Sequence, residues 1–183
     1  MLPLTIQGYE YFDEKTSSFG SVKTATIQLE HSLISLSEWE ARWKKPFLGK
    51  EEKTMEECID YVRCMTVTQH VDPLLYNGLT PAQIEEINKY IEDPMTATWF
   101  TETEQKRFNR ETITAEIIYY WMISLNIPFE CRKWHLNRLL TLIRVCNVKN
   151  APPKKKGRAE RKNDLSRRWA LNEARRKRLN STG

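Results

Sequence analysis

Ile113-Thr114-Ala115-Glu116-Ile117-Ile118-Tyr119-Tyr120-Trp121-Met122-Ile123-Ser124-Leu125 decides the reading of this chain. The stretch is apolar almost all round, and this predicts a central buried helix. Pro128 is expected to end it, because the proline ring removes a backbone donor and clashes with a continuing helix. A second helix is predicted over 133–148. There Trp134, Leu136, Leu139, Leu140, Leu142, Ile143, Val145 and Cys146 are apolar, and Lys133, Asn137, Arg138 and Arg144 are polar. The link at 126–132 is short, so the two should form an αα-hairpin. Glu116 is costly inside an apolar helix unless it has a partner. A pair with Arg138, His135 or Arg144 is expected.

Helix signals continue upstream. Residues 35–43 begin with a capping serine and place Trp39 and Trp43 four apart, with Pro46 as the stop. Thr54-Met55-Glu56-Glu57 has the capping-box pattern, in which the side chains at its two ends satisfy each other's backbone donors. Cys58, Ile59, Tyr61, Val62 and Met65 follow at near-helical spacing. Thr80-Pro81-Ala82-Gln83 is a second box, with proline at the first helical position. Its helix should run through Ile84, Ile87 and Ile91 to Pro94. The first thirty residues differ. Leu4-Thr5-Ile6-Gln7 and Lys23-Thr24-Ala25-Thr26-Ile27-Gln28-Leu29 alternate apolar and polar, and 13–20 between them is polar. An N-terminal β-hairpin is predicted, with 13–20 as its loop. The expected fold is therefore mainly α: a helical domain over 1–150 with an N-terminal β-hairpin, followed by a basic arm over 151–183.

Charge separates these two parts. Residues 151–183 carry 12 Lys+Arg against 3 Asp+Glu, a net charge of +9. The first 150 residues carry 17 against 21, a net charge of −4. The arm opens with Pro152-Pro153-Lys154-Lys155-Lys156-Gly157-Arg158. Its later part suits a helix, but Leu165, Trp169, Leu171, Ala174 and Leu179 are too sparse for a core. It is expected to be helical only on a partner. A concentrated positive segment contacts something anionic or serves as a solvated tail. A short basic run of this kind also resembles a nuclear-import signal, a pattern of low specificity.

No residues announce chemistry. The chain has no G-x-S-x-G, no H-E-x-x-H and no glycine-rich phosphate loop. Cys58, Cys64, Cys131 and Cys146 form no CxxC, and His31, His70 and His135 fall in no ligand spacing. Cys58 and Cys146 read as small buried hydrophobes, and reduced thiols fit a cytosolic compartment. The segment Met1-Leu2-Pro3-Leu4-Thr5-Ile6-Gln7 does not read as a signal peptide, and no apolar run approaches a membrane span. Catalytic, cofactor-binding and metal-binding residues are therefore not assigned. Arg132-Lys133-Trp134-His135-Leu136-Asn137-Arg138 interleaves base and aromatic, which fits a helix with one wet face better than a nucleic-acid contact.

Several of these stretches also carry a resemblance. Ile117-Ile118-Tyr119-Tyr120-Trp121-Met122-Ile123, Ile127-Pro128-Phe129-Glu130-Cys131, Lys133-Trp134-His135-Leu136-Asn137-Arg138-Leu139-Leu140 and Asn150-Ala151-Pro152-Pro153-Lys154-Lys155-Lys156 are similar to a family of small phage and prophage proteins. Trp169-Ala170-Leu171-Asn172-Glu173-Ala174-Arg175-Arg176-Lys177, Leu29-Glu30-His31-Ser32-Leu33 and Met95-Thr96-Ala97-Thr98-Trp99-Phe100 fit the same family. Its members resemble tail assembly chaperones of long-tailed phages. The resemblance implies a mainly helical, non-enzymatic protein of the bacterial host cytoplasm. It would bind the tape-measure protein, or another tail protein, while the tail tube assembles, and it could also self-associate. The expected interface aromatics are Trp39, Trp43, Trp99 and Phe100, which lie outside the strongest core helices. In the arm, Lys154, Lys155, Lys156, Arg158, Trp169, Arg175 and Arg176 are the expected contacts. Two other classes remain open: a structural virion component of capsid, neck or tail, and a nucleic-acid-binding accessory protein using the arm.

Overall fold

The computed structural model describes residues 1–14, 17–100, 112–151 and 158–179, with side chains in the last stretch from 162 onward. The chain divides into two compact units, Met1–Lys149 and Asn150–Gly183. It is mostly α with a small β part.

Four strands open the first unit: β1 (Leu2–Ile6), β2 (Tyr9–Asp13), β3 (Ser18–Val22) and β4 (Ala25–Leu29). β1 pairs with β4 and β2 with β3, both antiparallel. One register runs through both ladders: Leu2 faces Leu29, Ile6 faces Ala25, Tyr9 faces Val22 and Asp13 faces Ser18. They are thus one long hairpin interrupted once. The predicted hairpin is present, but much of the predicted loop at 13–20 is strand. Tyr11, Phe12, Phe19 and Val22 supply the β-favouring side chains, and the cross-strand pair of Phe12 and Phe19 rings, 5.2 Å apart, extends the pairing past the polar residues.

The interruption has a steric cause. A Cβ on Gly8 would lie 2.2 Å from the Val22 carbonyl oxygen and 2.6 Å from the Thr24 nitrogen. Only glycine lets the two backbones approach so closely. There the Gly8 N–H donates to Thr24 Oγ1 at 2.9 Å in place of a ladder bond.

Among the described residues, five helices follow: α1 (Leu33–Trp43), α2 (Met55–Met65), α3 (Pro81–Glu92), α4 (Ala115–Ser124) and α5 (Leu136–Asn150). Short 3-10 turns lie at Pro73–Gly78 and Phe129–Lys133. Both predicted capping boxes form, Thr54 with Glu57 and Thr80 with Gln83. α1 begins earlier than predicted, with a third box made by Ser32 and Ser35. It ends at Lys44 in the left-handed region, φ 57°, two residues before Pro46. α4 likewise stops short of its proline. The Ile127 N–H donates to the Met122 carbonyl at 2.8 Å and the Asn126 N–H to the Ile123 carbonyl at 3.1 Å. With Asn126 at φ 53°, this is a Schellman termination.

The buried side chains form two clusters. The first gathers Leu4, Ile6, Ile27 and Leu29 of the hairpin base with Trp39, Tyr61, Met65, Leu75, Ile87 and Tyr90. The second joins Leu33 and Leu36 to Ala115, Ile118, Met122, Cys131, Leu136, Leu139 and Ile143. α1 serves both, through opposite parts of its length.

Three polar features lie between or beside these cores. Glu40 is buried, and its carboxylate accepts the Phe47 N–H at 2.8 Å and the Ala115 N–H at 2.7 Å. It therefore caps α4, whose own N-cap Thr114 makes no side-chain bond. The second feature is a histidine seam. The Leu136 N–H donates to the His31 carbonyl at 2.7 Å, and the His31 and His135 rings stand 5.1 Å apart. His31 Nδ1 shares a 2.6 Å hydrogen bond with Tyr61 Oη, and His135 Nε2 donates to the Tyr90 carbonyl at 2.9 Å. Burial, helped by facing His135, pushes the His31 pKa down to about 3. Burial also lowers that of His135, whose Nδ1 has no partner among the described residues. The third feature ties α1 to α2: Asp60 accepts from Arg42 and from Trp43 Nε1, and Lys45 pairs with Glu57.

The second unit contains α6 (Arg158–Leu179). This is the part of the arm whose composition suits a helix. At 22 residues it exceeds the length below which isolated helices are marginal. Ala, Leu, Arg, Lys and Glu favour it, and Lys177 pairs with Glu173 one turn away.

Candidate partner-binding surfaces

The predicted interface aromatics go to different places. Trp39 is a core residue, only 1% exposed, and the expectation that it meets a partner is corrected. Its Nε1 donates to the Glu57 carbonyl at 2.9 Å, and its ring meets Phe47 edge-on. An indole at the crossing of α1 and α2 can bury its area and still satisfy its N–H, so burial wins. Trp43 is half-buried, its N–H spent on Asp60. Phe100 is half-buried beneath the Arg144 guanidinium, 4.2 Å from the ring centre. Trp99 alone of the four is open, at 82%.

α4 departs furthest from expectation. Ala115, Ile118 and Met122 are buried against α1 and α5, but Tyr120 and Ile123 are 66% and 63% exposed. The predicted all-round burial fails because the described neighbours cover one face only. Tyr120 and Ile123 lie three apart and so share the outer face. Tyr119 stacks on Phe129 nearby, with ring centres 5.9 Å apart. Glu116 is exposed, and solvent replaces the expected ion pair. Arg138 instead lies over the Trp134 ring at 4.2 Å, Arg144 over Phe100, and His135 in the seam.

A third surface was missed in sequence. α2 and α3 flank an apolar groove of about 230 Å³, lined by Phe47, Met55, Cys58, Ile59, Ile84 and Ile87 among others. Cys58, expected to be buried, is exposed at its edge. The missed signal was charge. Residues 51–93 carry 10 Asp+Glu against 3 Lys+Arg, a net charge of −7.

In the arm, Trp169 is 73% exposed, and Leu165 one turn earlier is also open. Arg175 and Arg176 are exposed on α6. Arg158 begins that helix, its side chain outside the described atoms, and Lys154, Lys155 and Lys156 lie outside the described residues. All four cysteines are free thiols. Among the described residues no group of three His, Cys, Asp or Glu side chains converges to hold a metal ion, and no helix is long and apolar enough to cross a membrane. Compared with family models, with curated proteins and with solved structures, the chain matches none.

Proposed function

We propose that this protein is a non-enzymatic assembly chaperone of a long-tailed phage, acting in the bacterial host cytoplasm. Its client is the tape-measure protein or another helical tail protein. The observation that carries the reading is the open apolar face of α4, where Tyr120 and Ile123 sit side by side on an acidic body. Contiguous exposed apolar side chains mark interaction sites on folded proteins. A very long client helix with apolar stripes would aggregate if bare, and a second helix face can cover such stripes one turn at a time. The family resemblance supplies the class of client. Co-expression with the tape-measure protein of the same phage tests the reading. The client should stay in the soluble fraction, and Ile123→Arg should return it to the pellet. Unchanged solubility in both cases refutes it. Mass spectrometry of purified particles tests the virion alternative, since a chaperone is absent from finished particles and a component appears in fixed copy number.

One observation favours a second reading. α6 carries nine Lys+Arg against three Asp+Glu beside the open Trp169 indole, a combination suited to phosphates and stacked bases. Mobility-shift binding that falls steeply with salt would support a nucleic-acid partner. No shift at low salt removes it.

A further inference from the structure

The molecule holds a plug and a socket of matching character. The socket is the groove between α2 and α3. Its volume of about 230 Å³ exceeds the ~150 Å³ apolar cavity that admits a benzene ring, so it has room for one large aromatic side chain. Glu56 on α2 and Glu85 and Glu92 on α3 are exposed, each about 100° around its helix from groove-lining residues. The plug is α6. Leu165 and Trp169 form an apolar pair at i, i+4, with Lys162, Arg168 and Arg176 exposed on the same helix. Residues 51–93 carry −7 and α6 carries +6.

We propose that the α2–α3 groove is a dock for a basic amphipathic helix, and that its occupant is α6 of a second copy of this chain. The inference goes beyond the chaperone reading and does not depend on it. Three properties select the occupant. The groove is apolar at its floor, so it needs an apolar anchor, and an indole is the side chain that most often dominates such sites. The surrounding segment is acidic, so a basic helix is captured and an acidic one repelled. Among the described helices, α6 alone combines a strong positive charge with an exposed tryptophan. Every copy carries one dock and one plug, so the contact joins two different surfaces and can propagate from copy to copy or close on itself.

Sedimentation velocity of the full chain across a wide concentration range tests this at low and high salt. Reversible self-association that weakens with salt is expected. Trp169→Ala removes the plug and should weaken association at least about tenfold. Cys58→Trp fills the dock and should do the same, while Cys58→Ser retains association. Ile84→Glu blocks the same groove should the tryptophan disturb folding. Far-UV circular dichroism must match the parent for each variant used. The decisive sample is the mixture of Trp169→Ala with the dock-blocked variant. Each alone should be monomeric, and together they should form a complex, because one supplies the dock and the other the plug. A chain that stays monomeric at low salt overturns the proposal. So does association that Trp169→Ala leaves intact, or a mixture that gains no mass. A monomer in which Trp169→Ala speeds thiol labelling of Cys58 would place the helix on its own body and equally overturn it.

Discussion

In the first core, Tyr9 donates to the Leu74 carbonyl, Tyr76 to Thr66 Oγ1 and Tyr90 to Glu30 Oε1. Gln83 Nε2 reaches the Thr5 carbonyl, and Trp39 the Glu57 carbonyl. The second core rests on Leu33, Leu36, Ile118, Met122, Leu139 and Ile143, whose contacts have no direction. The first joins strands, helices and a 3-10 turn whose relative positions must be fixed by directed bonds. The second packs helices mainly by ridge-and-groove contacts, with directed bonds confined to the helix starts, at Ala115 and at Leu136 and Asn137. The difference shows where surface is left over. The core with directed bonds leaves a concave groove between α2 and α3, and the aliphatic one leaves the outer face of α4 open among the described residues.

The strongest way to break this arrangement is Trp39→Ala. It removes a fully buried indole and its hydrogen bond, and should cost about 4 kcal/mol by chemical denaturation. Glu40→Ala comes next. It uncaps α4 and strips the buried Ala115 N–H and the part-buried Phe47 N–H of their acceptor, costing about 3 kcal/mol. Because Glu40 bridges elements of both cores, differential scanning calorimetry should then resolve two transitions where the parent shows one.

Acid should sharpen the comparison at the seam. His31 titrates near 3 when folded and near 6.5 when unfolded, so between those values the unfolded chain binds the extra proton. The seam's contribution is complete above about pH 6.5 and falls as pH drops toward 3, by at most about 1.4 kcal/mol per pH unit from this group. Tyr61, His135, Tyr90, Glu30 and Asp93 face the seam. The lowered pKa of His135 acts in the same sense. His31→Gln should flatten the dependence of the unfolding midpoint between pH 6.5 and 5, and an unchanged slope would remove the seam as its source. The smallest effect belongs to the open face. Ile123→Ser should change stability by less than about 0.5 kcal/mol while weakening client capture.

Local signals were legible and distant ones were not. The boxes at Thr54 and Thr80 could be read because each lies within four residues. The hairpin base could be read from the alternation around Leu4, Ile6, Ile27 and Leu29. The length of the hairpin could not, because Phe12 and Phe19 support pairing across a stretch whose composition signals a loop. Trp39 was misplaced because its burial depends on Phe47 and Tyr61, which the helical pattern of α1 does not contain. α4 was misjudged for the opposite reason. Its sequence is apolar all round, and only packing decides which side stays bare. The capping of α4 by Glu40 spans 75 positions, beyond any periodic pattern. Of the candidate surfaces, Trp99 and the basic arm were visible as composition. The groove needed α2 and α3 brought side by side before its acidic surroundings meant anything.

The two cores also differ in when they can be completed on the ribosome. Every buried member of the first lies between Leu4 and Tyr90, so that core can close as soon as Tyr90 has emerged. The second borrows Leu33 and Leu36 from the early part of the chain and waits for Ile143, about fifty residues later. At roughly 5–20 residues per second, that interval lasts several seconds. Until α4 emerges, α1 presents two leucines without their α4 and α5 neighbours, and the Glu40 carboxylate has only one of its two backbone donors. The nascent protein therefore passes through a half-built stage with a bare apolar edge, and its yield depends on how quickly α4 and α5 follow.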